Sequence, residues 1–399
     1  MAPMHPRAGW TFLTAIGITQ VISWGSIYYA FAVLIEPLAQ VTQSTRSAVV
    51  GAFSIALLVS GVATPFIGTV IDRIGGRAVM SIGSLVAAGL FALLPHVTSV
   101  TQLYAVWAGF GACMAATLYE PAFVVLTQVY GAGQRRAITI VTLFGGLAST
   151  VFWPLTQALV DRLGWQDAVL VLAVVNLCIT FPVHLLLLPA SGPHVTAAQR
   201  QARSPLLSVL SDPVFYALAA AFTGHMLVFS GMTVHLLSLL QAKGLTPADA
   251  AWVGAMFGPM QVLGRLLEFT LLRHMPATRV GMLAIWLLPV SIALLLAPIT
   301  AWAYMALFAF AFGVSNGVMT IVRGAIPREL YGSHGYGAIS GALAAPSLVA
   351  RAAGPMLAAL LIGAGDWQRM MLWLTGLSAA AALVFSWSAL RPRAAPAPD

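Results

Sequence analysis

The feature that most constrains this chain is a succession of apolar runs, each about as long as a bilayer is thick, joined by short polar connections. A helix needs ~20 mostly apolar residues to cross a membrane. Runs of that kind cover residues 12–37, 47–71, 78–95, 101–129, 137–160, 167–188, 214–240, 248–272, 279–298, 301–323, 337–362 and 367–390. The chain has 399 residues, 60% hydrophobic and only 8% charged, where a soluble domain carries roughly 25% charged residues. The sequence therefore predicts an all-α membrane protein with twelve transmembrane helices. Several runs contain Gly, Pro or Ser, which membrane helices tolerate where neighbours re-satisfy the backbone.

The net charge of +8 would suit a nucleic-acid partner only if it formed a patch. Instead the basic residues are nearly all Arg, with Lys243 the single lysine, and they stand in ones and twos at the ends of apolar runs. That placement sets membrane orientation. With both termini cytoplasmic, the inner segments hold twelve basic residues (Arg7, Arg73, Arg77, Arg135, Arg136, Arg200, Arg203, Arg273, Arg279, Arg328, Arg391, Arg393) and the outer ones four (Arg46, Arg162, Lys243, Arg369). A multi-pass protein of a bacterial-type inner (plasma) membrane is expected. The first apolar run is longer than a signal-peptide core and lacks an evident cleavage site, so it reads as a retained membrane helix.

The longest polar connection, Ala190 to Asp212, divides the spans six and six. The expected plan is a bundle over 1–189, a cytoplasmic linker over 190–212 and a second bundle over 213–399. The halves also resemble each other. Tyr130-Gly131 with Ala137-Ile138-Thr139 matches Tyr331-Gly332 with Ala338-Ile339-Ser340. Gly164-Trp165-Gln166 matches Asp366-Trp367-Gln368, and Thr69 to Arg73 lines up with Thr270 to His274. All three offsets lie near half the chain length, which indicates a duplicated six-helix unit.

Cys113 and Cys178 have no Cys or His neighbour at ligand spacing, and no Gly-rich loop of the Walker type occurs. No cofactor, nucleotide or metal is implied. A membrane-embedded enzyme would need a polar catalytic cluster at one interface, and the longest loop has none.

Charges inside a span are costly and usually have a task. Arg265 and Glu268 are three residues apart, on one helix face and ~5–6 Å apart at Cβ. They read as an anion anchor beside a titratable partner, or as a self-neutralising pair. Glu120 precedes Pro121, which loosens the helix. Burial would raise the pKa of an unpaired carboxylate there and fit it for proton exchange; the alternative is a static pair with an arginine. Arg323 holds nearly the equivalent place in the second half. Arg351 lies between Pro346 and Pro355, which suggests an interrupted, watered helix. His225 and His235 either face a cavity or bond backbone carbonyls. Glu36, before Pro37, reads as interfacial. Trp24 and Tyr28, four apart, either stack on a substrate or pack the core. Three intramembrane arginines face three carboxylates. If one carboxylate must be protonated for transport, an anionic substrate would satisfy the arginine left over.

Between the second and third runs stands Gly68-Thr-Val-Ile-Asp72-Arg73-Ile-Gly75-Gly-Arg77. It resembles the Gly-x-x-x-Asp-Arg-x-Gly-x-Arg loop of the major facilitator superfamily, whose two six-helix halves are related by an internal repeat. The resemblance implies the major facilitator fold, two pseudo-symmetric six-helix bundles. It also implies that Gly68, Asp72, Arg73, Gly75 and Arg77 form a cytoplasmic latch. Within that superfamily the chain is most similar to the monocarboxylate-porter-like group, through Ser23-Trp24-Gly25-Ser26 to Val33 in the first span and Tyr130 to Gly146 before the fifth. Arg265 falls where that group has an eighth-helix arginine that binds the substrate carboxylate. The acidic residue that precedes that arginine in the group is missing, and Gln261 stands four positions before it. The fourth span has no Arg and the fifth no Gly-Pro string, both frequent in proton-driven drug exporters. The expectation is a secondary transporter, a monomer without nucleic-acid partners. It would move a small organic anion with protons, with Arg265, Arg323, Arg351, His225, Trp24 and Tyr28 at the substrate and Glu120 or Glu268 carrying the proton. Export of drugs, metabolites or oxyanions is the rival.

Overall fold

The computed structural model describes residues 9–130, 134–189, 209–272, 274–331, 336–363 and 365–391. Among the described residues every regular element is helical. Among those residues, eleven helices are long and apolar enough to cross a membrane, including Trp10–Val41, Gly76–His96, Val100–Tyr130, Trp165–Leu187, Pro213–Ala242, Trp302–Tyr331 and Trp367–Leu390. They match eleven of the twelve expected spans.

The eighth span differs: it is broken at Met256 into Pro247–Ala255 and Phe257–Leu267, followed by a π-helical turn, Glu268–Leu272. Pro259 explains the break. It has no N–H to return to the carbonyl of Ala255, and it is tolerated in the first turn of the next helix, where donors lack helical partners anyway.

The surface inverts the pattern of a soluble protein. Phe66, Leu271 and Leu390 are each about two-thirds exposed or more, while Gln20, Asn176, His184 and His235 are fully buried. In lipid no water competes for those polar groups, so they must find partners inside the protein.

The chain divides into two compact units, Met1–Val195 with Pro247–Ala255, and Thr196–Thr246 with Met256–Asp399. The expected linker over 190–212 lies outside the described residues except for its last four positions.

The first unit is packed by aromatic rings. Phe31 and Phe53 stack at 4.4 Å between centroids, and Trp107 meets Phe31 edge-on at 4.6 Å. The first span is not a uniform helix. Trp24–Tyr29 is π-helical, and so is Asn176–Thr180 in the sixth span. Asn176 ties the two by donating to the Ser26 hydroxyl at 3.1 Å. Pro121 cannot donate to the carbonyl of Thr117, and Gln20 takes that carbonyl instead at 2.8 Å. The chain turns two corners on one residue each. Gly75 ends Arg46–Ile74 and begins Gly76–Leu93 with φ 87° and ψ 154°; Gly164 does the same before Trp165–Val175 with φ 83° and ψ 162°. Side chains other than hydrogen rarely reach that region. The corners share a sequence, Asp72-Arg73-Ile74-Gly75 and Asp161-Arg162-Leu163-Gly164.

In the second unit the seventh span, Pro213–Ala242, and the helix Tyr336–Ile362 approach closely through Gly231 and Gly354. A Cβ on Gly231 would lie 2.8 Å from the Gly354 carbonyl oxygen. Tyr336–Ile362 runs unbroken through Pro346 and Pro355, which corrects the expected interruption. Pro355 frees the carbonyl of Arg351, and Ser230 on the facing helix donates to it at 2.6 Å. His235 Nε2 donates to the carbonyl of Pro355 at 3.0 Å. Glu329 caps the helix Ala277–Leu294 by accepting from the amides of Ala277 and Thr278, at 2.5 and 3.3 Å. The Lys243 ammonium donates to the carbonyls of Leu295 and Ala297 at 2.8 and 2.9 Å; burial lowers its pKa from the ordinary lysine value.

Candidate functional site

The second unit gathers the intramembrane arginines. Arg265 is buried at 7% exposure, in the last turn of Phe257–Leu267. Gln261, one turn before it on the same face, accepts from Asn316 of the tenth span at 2.7 Å. This buried amide pair fixes the eighth and tenth spans at the level of Arg265. Glu268, half-buried, opens the π turn directly after it.

Arg323 lies two turns along from Asn316 in Trp302–Tyr331 and is half-buried. Arg351 lies in Tyr336–Ile362 and is also half-buried. Arg351 and His225 share the contact between the seventh and eleventh spans, where Ser230 takes the Arg351 carbonyl, and Phe229, stacked on the His225 ring, also stacks on Phe312 of the tenth span. Among the described residues Arg323 has no carboxylate partner. The ring of His225 is 1% exposed and stacks on Phe229. Neither of its nitrogens has a hydrogen-bond partner among the described residues. The Gln261 amide nitrogen and the hydroxyls of Ser315 and Ser347 are buried in the same condition. Unpaired charges and unsatisfied polar groups are expensive in a low-dielectric interior. Such a constellation has the chemistry to receive an anion with hydrogen-bonding oxygens.

In the first unit, Trp24 and Tyr28 fall in the π-helical segment. Tyr28 is 5% exposed and wedged edge-on between Trp24 and Phe53 at 5.4 and 5.3 Å. Trp24 is half-buried, with Tyr119 at 5.0 Å. Glu120 follows a break at Leu118 and is exposed, not buried as the desolvation argument supposed; it has no ion pair among the described residues. Glu36 pairs with Arg46 and joins the end of the first span to the start of the second. Around the expected latch, Gly68 lies within the second helix and Arg73 is exposed. Gly75 makes the corner, and the Asp72 side chain lies outside the described residues. Arg77 Nε donates to the carbonyl of Leu188 at 2.6 Å, closing the end of the sixth span. His184 meets the same third-span helix through Ser84 Oγ at 2.8 Å.

Sequence reasoning missed Gln20, Asn316, Ser230, Glu329 and the role of Gln261. A signal was present for the first two and the last, amides within apolar runs. Ser230 carried no signal without knowing which carbonyl a distant proline had freed.

Solved structures of like fold include the nucleoside transporter NupG, in a mutant form, at TM-score 0.75 and 14% identity, with 95% of this chain and 99% of that chain covered. A bacterial homologue of the human lysosomal transporter Spinster, inward-facing and unoccupied, aligns at TM-score 0.72 and 16% identity, over 95% and 96%. Among curated relatives, monocarboxylate transporter 13 of Rattus norvegicus is 25% identical over 343 residues, 82% of this chain and 77% of that protein. Monocarboxylate transporter 11 of Homo sapiens is 29% identical over 233 residues, 55% of this chain and 47% of that protein. The family profile of the Major Facilitator Superfamily matches residues 16–314. With its helical spans, its repeated halves and this match, the chain belongs to the Major Facilitator Superfamily and is a multi-pass membrane transporter, not an enzyme.

Proposed function

We propose that this transporter moves a small, monocarboxylate-like organic anion by alternating access, coupled to protons. One observation carries the reading: Arg323 lies within the tenth span and has no carboxylate partner among the described residues. An arginine in a membrane interior needs an anion, and the substrate carboxylate supplies one bidentately. Arg265 and His225 complete the anion's surroundings in the second unit, and Gln261 Nε2 offers a further donor. The monocarboxylate relatives support the substrate class. In the first unit, Trp24 is the more open of the two aromatic candidates, and Tyr28 shapes its position. Glu120 carries the proton, with Glu268 as the second-unit candidate. Asp72, Arg73 and Arg77 latch the cytoplasmic end, with both chain termini on that side.

Purified protein in liposomes, offered labelled small carboxylates with acid outside, tests this. Uptake above the equilibrium level, abolished by a protonophore, is expected. Expulsion under the same gradient would make the protein an antiporter, and indifference to every carboxylate would refute the anion reading.

A further inference from the structure

The exposed surface of the second unit holds a groove of about 680 Å³. Its walls are Leu227 of the seventh span, Leu357 and Leu360 of the eleventh, and Trp373 and Leu377 of the twelfth; Arg369 stands at one end. A smaller hollow of about 230 Å³ shares Arg369 and Trp373 and adds Asp366 and Gln368. Leu360 and Trp373 are 59% and 61% exposed. The first unit offers a control: its groove of about 460 Å³, along Leu58, Val62, Phe66 and Val70, has no charged group in its lining.

The cation at the end of the second groove is available. Asp366 is occupied in capping the twelfth helix, where it accepts the backbone N–H of Arg369 at 2.8 Å. The Arg369 guanidinium has no hydrogen bond or ion pair among the described residues and is exposed. Trp373 lies one turn further along the same face. An indole at the boundary between headgroups and tails is a common anchor. A guanidinium fork matches the oxygens of a phosphate.

We propose that this groove seats one anionic phospholipid, an acyl chain lying along the leucines and its phosphate held by Arg369. A neutral lipid would find the same walls but would not need the cation. A second copy of this chain would cover the walls but bring no evident anion. The proposal does not depend on what the protein transports.

The test offers the full-length protein in detergent an equimolar mixture of palmitoyl-oleoyl phosphatidylglycerol and phosphatidylcholine, and counts retained lipids by native mass spectrometry. Wild type should keep phosphatidylglycerol over phosphatidylcholine by about fivefold, the factor that about 1 kcal/mol per arginine near a membrane surface provides. Arg369→Gln should bring the two lipids to parity. Leu360→Trp, which obstructs the groove without touching the cation, should lower retention of both. Equal retention by wild type would overturn the proposal. So would an undiminished preference in Arg369→Gln, unchanged retention in Leu360→Trp, or a lipid-free dimer cross-linked through position 360. If Arg369→Gln fails to fold, the wild-type preference and Leu360→Trp together decide.

Discussion

At the scale of single residues, the account rests on cations that the fold holds within the spans of the second unit. Arg323 and Arg351 both lie within spans of the second unit, and Arg265 is buried one turn from the Gln261–Asn316 pair. A charge-assisted contact contributes about 1.5–3 kcal/mol, so Arg323→Gln or Arg265→Ala should weaken anion binding roughly ten- to hundredfold. Calorimetric titration of the purified protein reads this directly, and an unchanged affinity would remove the residue from the site. Glu120 is exposed and has no ion pair among the described residues. Glu120→Gln should abolish accumulation driven by a pH gradient and leave exchange of substrate across the membrane intact. Retained accumulation would move the proton to another carboxylate, with Glu268 the first to examine.

Much of this was legible in the sequence for one physical reason. A charge in a twenty-residue apolar run is visible because burying it is costly, and Arg265, Arg323 and Arg351 stand out on that ground alone. Their mutual placement was not legible, since it depends on which helix faces which. The same holds for Glu120: the sequence marks the carboxylate, and only the fold shows that it emerges at the protein surface after the break at Leu118.

At the scale of elements, prolines and glycines do most of the shaping. Two prolines free a carbonyl four residues back, and a polar side chain from another helix satisfies each: Gln20 for Thr117 and Ser230 for Arg351. Ser230→Ala would leave a buried carbonyl unsatisfied, at a cost of about 1–3 kcal/mol. It should lower the thermal midpoint in detergent. An unchanged midpoint would mean that water or a shifted backbone takes the bond. The one-residue corners give a second test. Gly75→Ala and Gly164→Ala place a Cβ in a region that only glycine enters readily, so each should destabilise by roughly 1–3 kcal/mol. Matching losses would show that the two Asp-Arg-x-Gly corners are equivalent in strain, whereas a loss at Gly75 alone would argue that Gly164 relaxes.

Helix existence was legible from the length of the apolar runs. The π-helical segments at Trp24–Tyr29, Asn176–Thr180 and Glu268–Leu272 were not, because one extra residue in a turn leaves the hydropathy of a run unchanged. The break at Met256 had a cue in Gly258-Pro259, but prolines also stand inside unbroken helices here, as Pro346 and Pro355 do.

At the scale of the whole molecule, duplication and arginine bias describe a membrane transporter before any coordinate is known, and family membership agrees. What such a protein carries is written in a few side chains, and the central claim is that this one reads a carboxylate charge. Its most direct test compares initial uptake of a labelled monocarboxylate with that of its uncharged primary amide, nearly identical in size, into the same proteoliposomes. The account predicts that the acid enters, that the amide does not, and that Arg323→Gln erases the difference. Equal entry of acid and amide into wild-type vesicles would contradict it.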